Sequence, residues 1–237
     1  MKYMGSKAKY VKELLPIILQ NKRVDQWYIE PFAGGCNTIS KVGGNRLAND
    51  TNKYVMCMFE AACNGWRPPD VITEQEYHDI KTNQTKYQPE LVGFVGIGCS
   101  YAGKWWGGYA RGNTNKGLPR NYCLESKTNL INQVEGLRGT FFSAVSFEQL
   151  VIPNDSIIYC DPPYANTTKY GQHFSSDKLF AWCRKLASQG HTVFLSEYNA
   201  PSDFIPVWEK TVYNTLVAQT GSKVGVERLY TCNHFLT

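Results

Sequence analysis

Apolar residues along the chain follow two periods. Between residues 7 and 20 they fall at Val11, Leu14, Leu15, Ile18 and Leu19, the three-and-four spacing of one helix face. Similar patterns predict helices over 51–62, 73–86, 89–101, 123–137 and 176–189, the last capped at Ser175 or Ser176. Another helix is expected to start near Asn37. Short apolar runs at 26–30, 46–50, 141–147, 157–161 and 191–196 predict strands. Strands that alternate with helices imply an α/β fold with a parallel sheet. Two β-rich runs at 208–218 and 226–236, joined by a polar Gly-Ser-Lys loop, predict a terminal antiparallel hairpin on that sheet.

Two stretches within this pattern carry candidate chemistry. Asp161-Pro162-Pro163-Tyr164 follows a strand, and open α/β sheets bind ligands at the carboxyl ends of their strands. Prolines fix φ and lack N–H donors, so the loop is stiff and its carbonyls are unpaired. A carboxylate, a fixed carbonyl and a flat ring suit a planar amine, although four such residues also make an ordinary turn. The second stretch, Glu30-Pro31-Phe32-Ala33-Gly34-Gly35-Cys36, follows the first predicted strand. An acid at a strand end before a glycine turn is a nucleotide-site arrangement, because glycine lets backbone N–H groups approach a ligand. Gly-x-Gly-x-x-Gly is absent, which argues against a dinucleotide. Asp50 ends the next strand, where an acid accepts both hydroxyls of a ribose; the alternative is an N-cap for helix 51–62.

Between Gly65 and about Tyr122 the character changes. Arg67-Pro68-Pro69 marks a break, and residues 103–117 mix paired tryptophans and cations with five glycines. Lys104, Trp105, Trp106, Arg111, Lys116 and Arg120 are candidate nucleic-acid-binding residues, with core packing the alternative for at least one tryptophan. Net charge matters here. The chain carries +5, but residues 1–25 hold six Lys/Arg against two acids and residues 101–130 hold five against one. Two basic patches on a near-neutral body predict a polyanion partner.

The length of 237 residues suits one α/β domain, alone or carrying an insertion. Eight cysteines at irregular spacing, without Cys-x-x-Cys, predict buried free thiols in a reducing cytoplasm. Four scattered histidines show no ligand spacing, so no metal is expected. No apolar run is long enough to span a bilayer, and residues 1–7 lead into no signal-peptide core.

Three motifs in fixed order, Lys2-Tyr3-Met4-Gly5-Ser6-Lys7, Glu30-Pro31-Phe32-Ala33-Gly34-Gly35 and Asp161-Pro162-Pro163-Tyr164, resemble the Dam-type DNA adenine-N6 methyltransferases (D12 class, alpha group). The resemblance covers nearly the whole chain, including Leu47–Asp50 and the Lys104–Arg111 loop, which is similar to phage-type members. It implies a Rossmann-like fold that uses S-adenosylmethionine, with a catalytic domain over 1–64 and 123–237 and a target-recognition insertion over 65–122. The implied donor site takes Tyr3, Lys7, Glu30, Phe32, Ala33, Gly34, Gly35, Asp50 and Asp161. The implied adenine site takes Asp161, Pro162, Pro163 and Tyr164. Double-stranded DNA is the implied partner, and a monomer or weak dimer is expected. One departure stands out: the family's turn reads Phe-x-Gly-x-Gly, whereas the last position here is Cys36. Cytosine-N4 or RNA adenine transfer, or a silent DNA-binding relative, are the alternatives. Cytosine-N4 enzymes more often carry Ser where Asp161 stands.

Overall fold

The computed structural model describes residues 1–163, 174–214 and 223–232. In chain order the elements are α1 (Val11–Ile18), β1 (Tyr28–Glu30), β2 (Arg46–Asn49), α2 (Lys53–Cys63), α3 (Glu74–Thr82), α4 (Pro89–Gly98), α5 (Tyr122–Leu137), β3 (Thr140–Ser143), β4 (Ile157–Cys160), α6 (Ser176–Ser188), β5 (Thr192–Glu197), β6 (Ile205–Asn214) and β7 (Lys223–Thr231). The fold is mixed α/β, as the alternation of periods predicts, and Rossmann-like, as the resemblance implies. Its described strands are mostly parallel, and β7 runs antiparallel to both its neighbours. The chain forms two compact units, residues 10–31 with 151–237, and residues 1–9 with 32–150.

In the unit formed by 10–31 and 151–237 the strand order is β1-β4-β5-β7-β6. Tyr28 stands opposite Ile157, and Ile157 opposite Thr192. Every residue of β1 and β4 is buried, the mark of strands covered on both faces. The expected terminal hairpin is β6 with β7, offset by a bulge between Pro206 and Trp208. The rest of its two predicted runs, 215–218 and 233–236, lies outside the described residues. Helix α1 buries Val11, Leu14, Leu15 and Ile18 as its stripe predicts. It spans Val11–Ile18 of the predicted 7–20, and Pro16 within it removes one helical donor. Ser175 caps α6 through the Lys178 N–H.

In the unit formed by 1–9 and 32–150, β2 pairs in parallel with β3, Arg46 opposite Thr140 and Asn49 opposite Ser143. Helices α2 and α4 pack so closely that a Cβ on Gly93 would lie 2.1 Å from the Tyr54 carbonyl oxygen. Helix α3 begins with a capping box between Thr73 and Glu76 and ends at Thr82, with a separate short turn over Gln84–Lys86. Helix α4 ends at Gly98, before Ala102 and Gly103 turn left-handed. Near Asn37 only one short turn forms, Ile39–Lys41, because Val42 returns to extended backbone ahead of Gly43 and Gly44. Strand β3 likewise stops at Ser143, short of the predicted 147, and Phe147 opens a turn instead. The guanidinium of the buried Arg46 donates to the carbonyls of Gly44, Gly136 and Arg138, so β2 is anchored to the end of α5. Among the described residues no helix is long and apolar enough to cross a membrane.

Candidate active site

The glycine turn is built from short-range contacts. The Ala33 N–H donates to the Asn49 carbonyl at 2.8 Å, so the turn leaves Phe32 held against the end of β2. The Gly34 N–H donates to Asp50 Oδ2 at 3.0 Å, and the Asn52 N–H donates to Asp50 Oδ1 at 2.9 Å. Partial burial raises the Asp50 carboxyl, and the two N–H donors pull it back. The cap of α2 is Asn52, whose side chain accepts from the Val55 N–H, so Asp50 is not spent as an N-cap.

Tyr3 closes over this turn. A Cβ on Gly34 would come within 2.7 Å of its ring, and one on Gly35 within 2.5 Å of its Cβ. The ring of Phe32 packs on Phe147 at 5.4 Å between centroids. Lys7, Ala33, Gly34 and Gly35 are buried, whereas Tyr3, Phe32 and Asp50 are half-buried. Cys36, which stands where the resembled pattern has glycine, adopts φ +51°. The backbone therefore follows a left-handed path there even with a side chain present. This one unit brings together Tyr3, Phe32, Gly34, Gly35 and Asp50.

The same unit holds the predicted DNA-binding residues. Residues 111–119 are exposed without a break, and bridges pair Ser100 with Tyr109 and Asn113 with Pro119. Lys104 and Lys116 are exposed, but Arg111 is ion-paired with Glu74. Arg120 binds Glu125 through two nitrogens, Nε to Oε1 at 2.8 Å, and its guanidinium lies 4.7 Å from the centre of the Tyr122 ring. The tryptophans pack inward. Trp105 stacks with Tyr54 at 6.1 Å and covers Gly96, where a Cβ would be 2.3 Å from the indole; Trp106 meets Tyr77 edge-on at 5.2 Å.

Glu30 and the Asp161 loop belong to the other unit. Glu30 is buried and accepts a hydrogen bond from the Tyr28 hydroxyl at 2.8 Å. Asp161 is half-buried, Pro162 buried and Pro163 exposed; Tyr164 lies outside the described residues. Tyr159, on the strand that leads to Asp161, shares a 2.8 Å hydrogen bond with Ser196 of β5. Among the described residues no three His, Cys, Asp or Glu side chains gather as a metal site.

Sequence reasoning missed several supporting residues. The Gln133 side chain donates to the Gly35 carbonyl at 2.8 Å, and the Asn37 side chain donates to Ser6 Oγ at 2.9 Å. Ser6 and Asn37 lie inside or beside quoted motifs and were open to notice. Gln133 sits on α5, about a hundred residues downstream, and no local signal marks it.

Residues 3–94 match the family model of the D12 class N6 adenine-specific DNA methyltransferases, the family that the motifs resemble. The matched stretch holds Tyr3, Lys7, the glycine turn and Asp50, and it ends before the basic loop and Asp161. The match supports DNA methyltransferase activity directed at adenine N6. No curated protein matches the chain.

Proposed function

We propose that this protein, with the D12 class match as premise, is a site-specific DNA adenine-N6 methyltransferase that takes its methyl group from S-adenosylmethionine. The observation that carries the reading is the pairing of Gly34 with Asp50 inside the matched stretch. Each Asp50 oxygen takes one backbone N–H and keeps a lone pair, so the pair offers the two acceptors that a ribose diol requires. Gly34 and Gly35 supply backbone that a ligand can approach, with Tyr3 and Phe32 as flanking rings and Lys7 and Ala33 completing what this unit supplies to the proposed donor site. When bound, the donor supplies an electrophilic methyl on a sulfonium.

Asp161 and the Pro162 carbonyl are the proposed acceptors for the two N6–H bonds of an extruded adenine. Extrusion costs a few kcal/mol, and stacking on Tyr164 returns about 1–3 kcal/mol. Accepting both N–H bonds draws the nitrogen lone pair out of conjugation and orients it for in-line attack. The amine is a weak nucleophile, so alignment and electrostatics contribute more than prior deprotonation. The proton leaves after the methyl arrives, so Asp161 serves as an acceptor and need not be a strong base. Residues 65–122 are the proposed recognition insertion, in which Lys104 and Lys116 meet phosphate.

The test is methyl transfer from labelled S-adenosylmethionine to duplex DNA, followed by digestion to nucleosides. N6-methyldeoxyadenosine is expected from the wild type and none from Asp161→Ala, which keeps its DNA binding. Label in cytosine, or none at all, defeats the proposal.

A further inference from the structure

Glu30 is a carboxyl group closed in without a countercharge. It ends β1 at 4 % exposure, and its hydrogen-bond partner is a phenol, Tyr28, which is itself fully buried. No lysine, arginine or histidine among the described residues offsets its charge. In the parallel register of β1 with β4, Tyr28 faces Ile157 and Ile29 faces Ile158. Glu30 is therefore level with Tyr159, and Asp161 lies two positions further on, close enough for its charge to act on Glu30. The titratable groups that face Glu30 within this unit are Tyr28, Tyr159 and Asp161, and Glu227 acts in turn on Tyr159. All are acids.

Two carboxylates so placed do not both ionise readily when one of them is closed off from water. The more deeply buried group keeps the proton, because burial penalises its charged form most. That group is Glu30, since Asp161 is half-buried. We infer that Glu30 is held as a neutral carboxylic acid beside Asp161, a positioning residue that leaves Asp161 as the single carboxylate at the carboxyl ends of β1 and β4. Burial and the Asp161 charge push the Glu30 carboxyl up to about 8, and the Tyr28 hydrogen bond only partly opposes them. Above that pH a second anion forms beside Asp161 and repels it from its working position. The inference rests on the proposed function for what Asp161 does, and on this unit alone for where the proton sits.

The experiment uses the full chain and two readouts. Infrared spectra of protein labelled with carbon-13 glutamate, taken against Glu30→Gln, should show a protonated carboxyl at neutral pH that disappears above about pH 8. The rate of methyl transfer to duplex DNA should fall roughly tenfold per pH unit beyond that point in the wild type. The normalised profile of Glu30→Gln, which has nothing to ionise, should lack this limb. Absence of the protonated-carboxyl band at neutral pH overturns the inference, as does the same alkaline limb in Glu30→Gln. If the variant fails to fold, the wild-type infrared titration decides alone. A protonated band in a protein that methylates no DNA supports the assignment and defeats only the functional reading.

Discussion

The backbone N–H of Gly34 points at the carboxylate of Asp50 over 3.0 Å, so the turn after β1 and the acid after β2 are one built unit. Asp50 both shapes the glycine turn and presents acceptors beyond it. Removing the carboxylate strands the N–H groups of Gly34 and Asn52, and hydrogen bonds to a charged partner contribute about 1.5–3 kcal/mol. Asp50→Ala should weaken S-adenosylmethionine binding by one to two orders of magnitude in calorimetry, with Asp50→Asn between it and the wild type. Unchanged affinity in Asp50→Ala would remove this residue from the donor site.

Cys36 takes a glycine's place in the turn at φ +51°, fully buried. A left-handed conformation costs a residue with a Cβ roughly 1–2 kcal/mol. Cys36→Ala and Cys36→Gly both delete the thiol, but only alanine keeps the Cβ in that conformation. Cys36→Gly should therefore be more stable than Cys36→Ala by about 1 kcal/mol in urea denaturation, the reverse of the order at an ordinary helical site. An Ala variant at least as stable as the Gly variant would mean that the backbone there is relaxed.

Much of this was legible from local spacing. The helix stripe at Val11–Ile18, the buried runs of β1 and β4, and the start of α3 after Thr73 are all set by residues a few positions apart. The turn and Asp50 were readable from their places at the ends of successive strands, although sixteen residues separate Gly34 from Asp50. What sequence did not yield depends on distant partners. Gln133 reaches Gly35 from α5, and Glu74 and Glu125 take up Arg111 and Arg120, cations whose setting in the sequence suggested nucleic acid as the partner. Trp105 lies where it does because Gly96 of α4 leaves room for an indole, which no pattern around the tryptophan records.

Helices α2 and α4 should be sensitive to a single methyl group. A Cβ at Gly93 would sit 2.1 Å from the backbone oxygen of Tyr54, and backbone cannot swing aside as a side chain can. Gly93→Ala should cost about 1–3 kcal/mol by forcing the helices apart. Gly43→Ala, with no atom within 4 Å of the added group, serves as the control and should be near neutral in thermal denaturation. Equal midpoints for the two variants would refute the close approach.

The exposed and ion-paired cations should separate in salt titrations. If Lys104 meets a phosphate, Lys104→Ala should flatten the slope of log K against log salt by about one unit. Arg111 must first leave Glu74, so Glu74→Gln, which removes the competitor, should strengthen DNA binding while Arg111→Ala weakens it. Weaker binding by Glu74→Gln would mean that the ion pair orients Arg111 for DNA, not against it.

Two buried groups should give stability opposite slopes with pH. His191 is buried, and its Nδ1 accepts the Ser156 N–H at 3.1 Å, so the folded ring is neutral and burial holds its pKa below the usual 6.5. Below that value the unfolded chain takes up a proton that the folded one refuses. Its contribution is therefore complete above pH 6.5 and is lost as pH falls, by at most about 1.4 kcal/mol per pH unit. Glu30 runs the other way. Its folded pKa is about 8 against an ordinary 4.5, so its contribution is complete below 4.5 and is lost as pH rises towards 8. The two slopes cancel in part between pH 4.5 and 6.5, and the variants resolve them. Relative to wild type, His191→Gln should lose stability less steeply on acidification. Glu30→Gln should lose it less steeply as pH is raised from 6.5 to 8. Urea unfolding of the three proteins from pH 4.5 to 8 measures both, and parallel curves for wild type and Glu30→Gln would show that Glu30 is ionised in the fold.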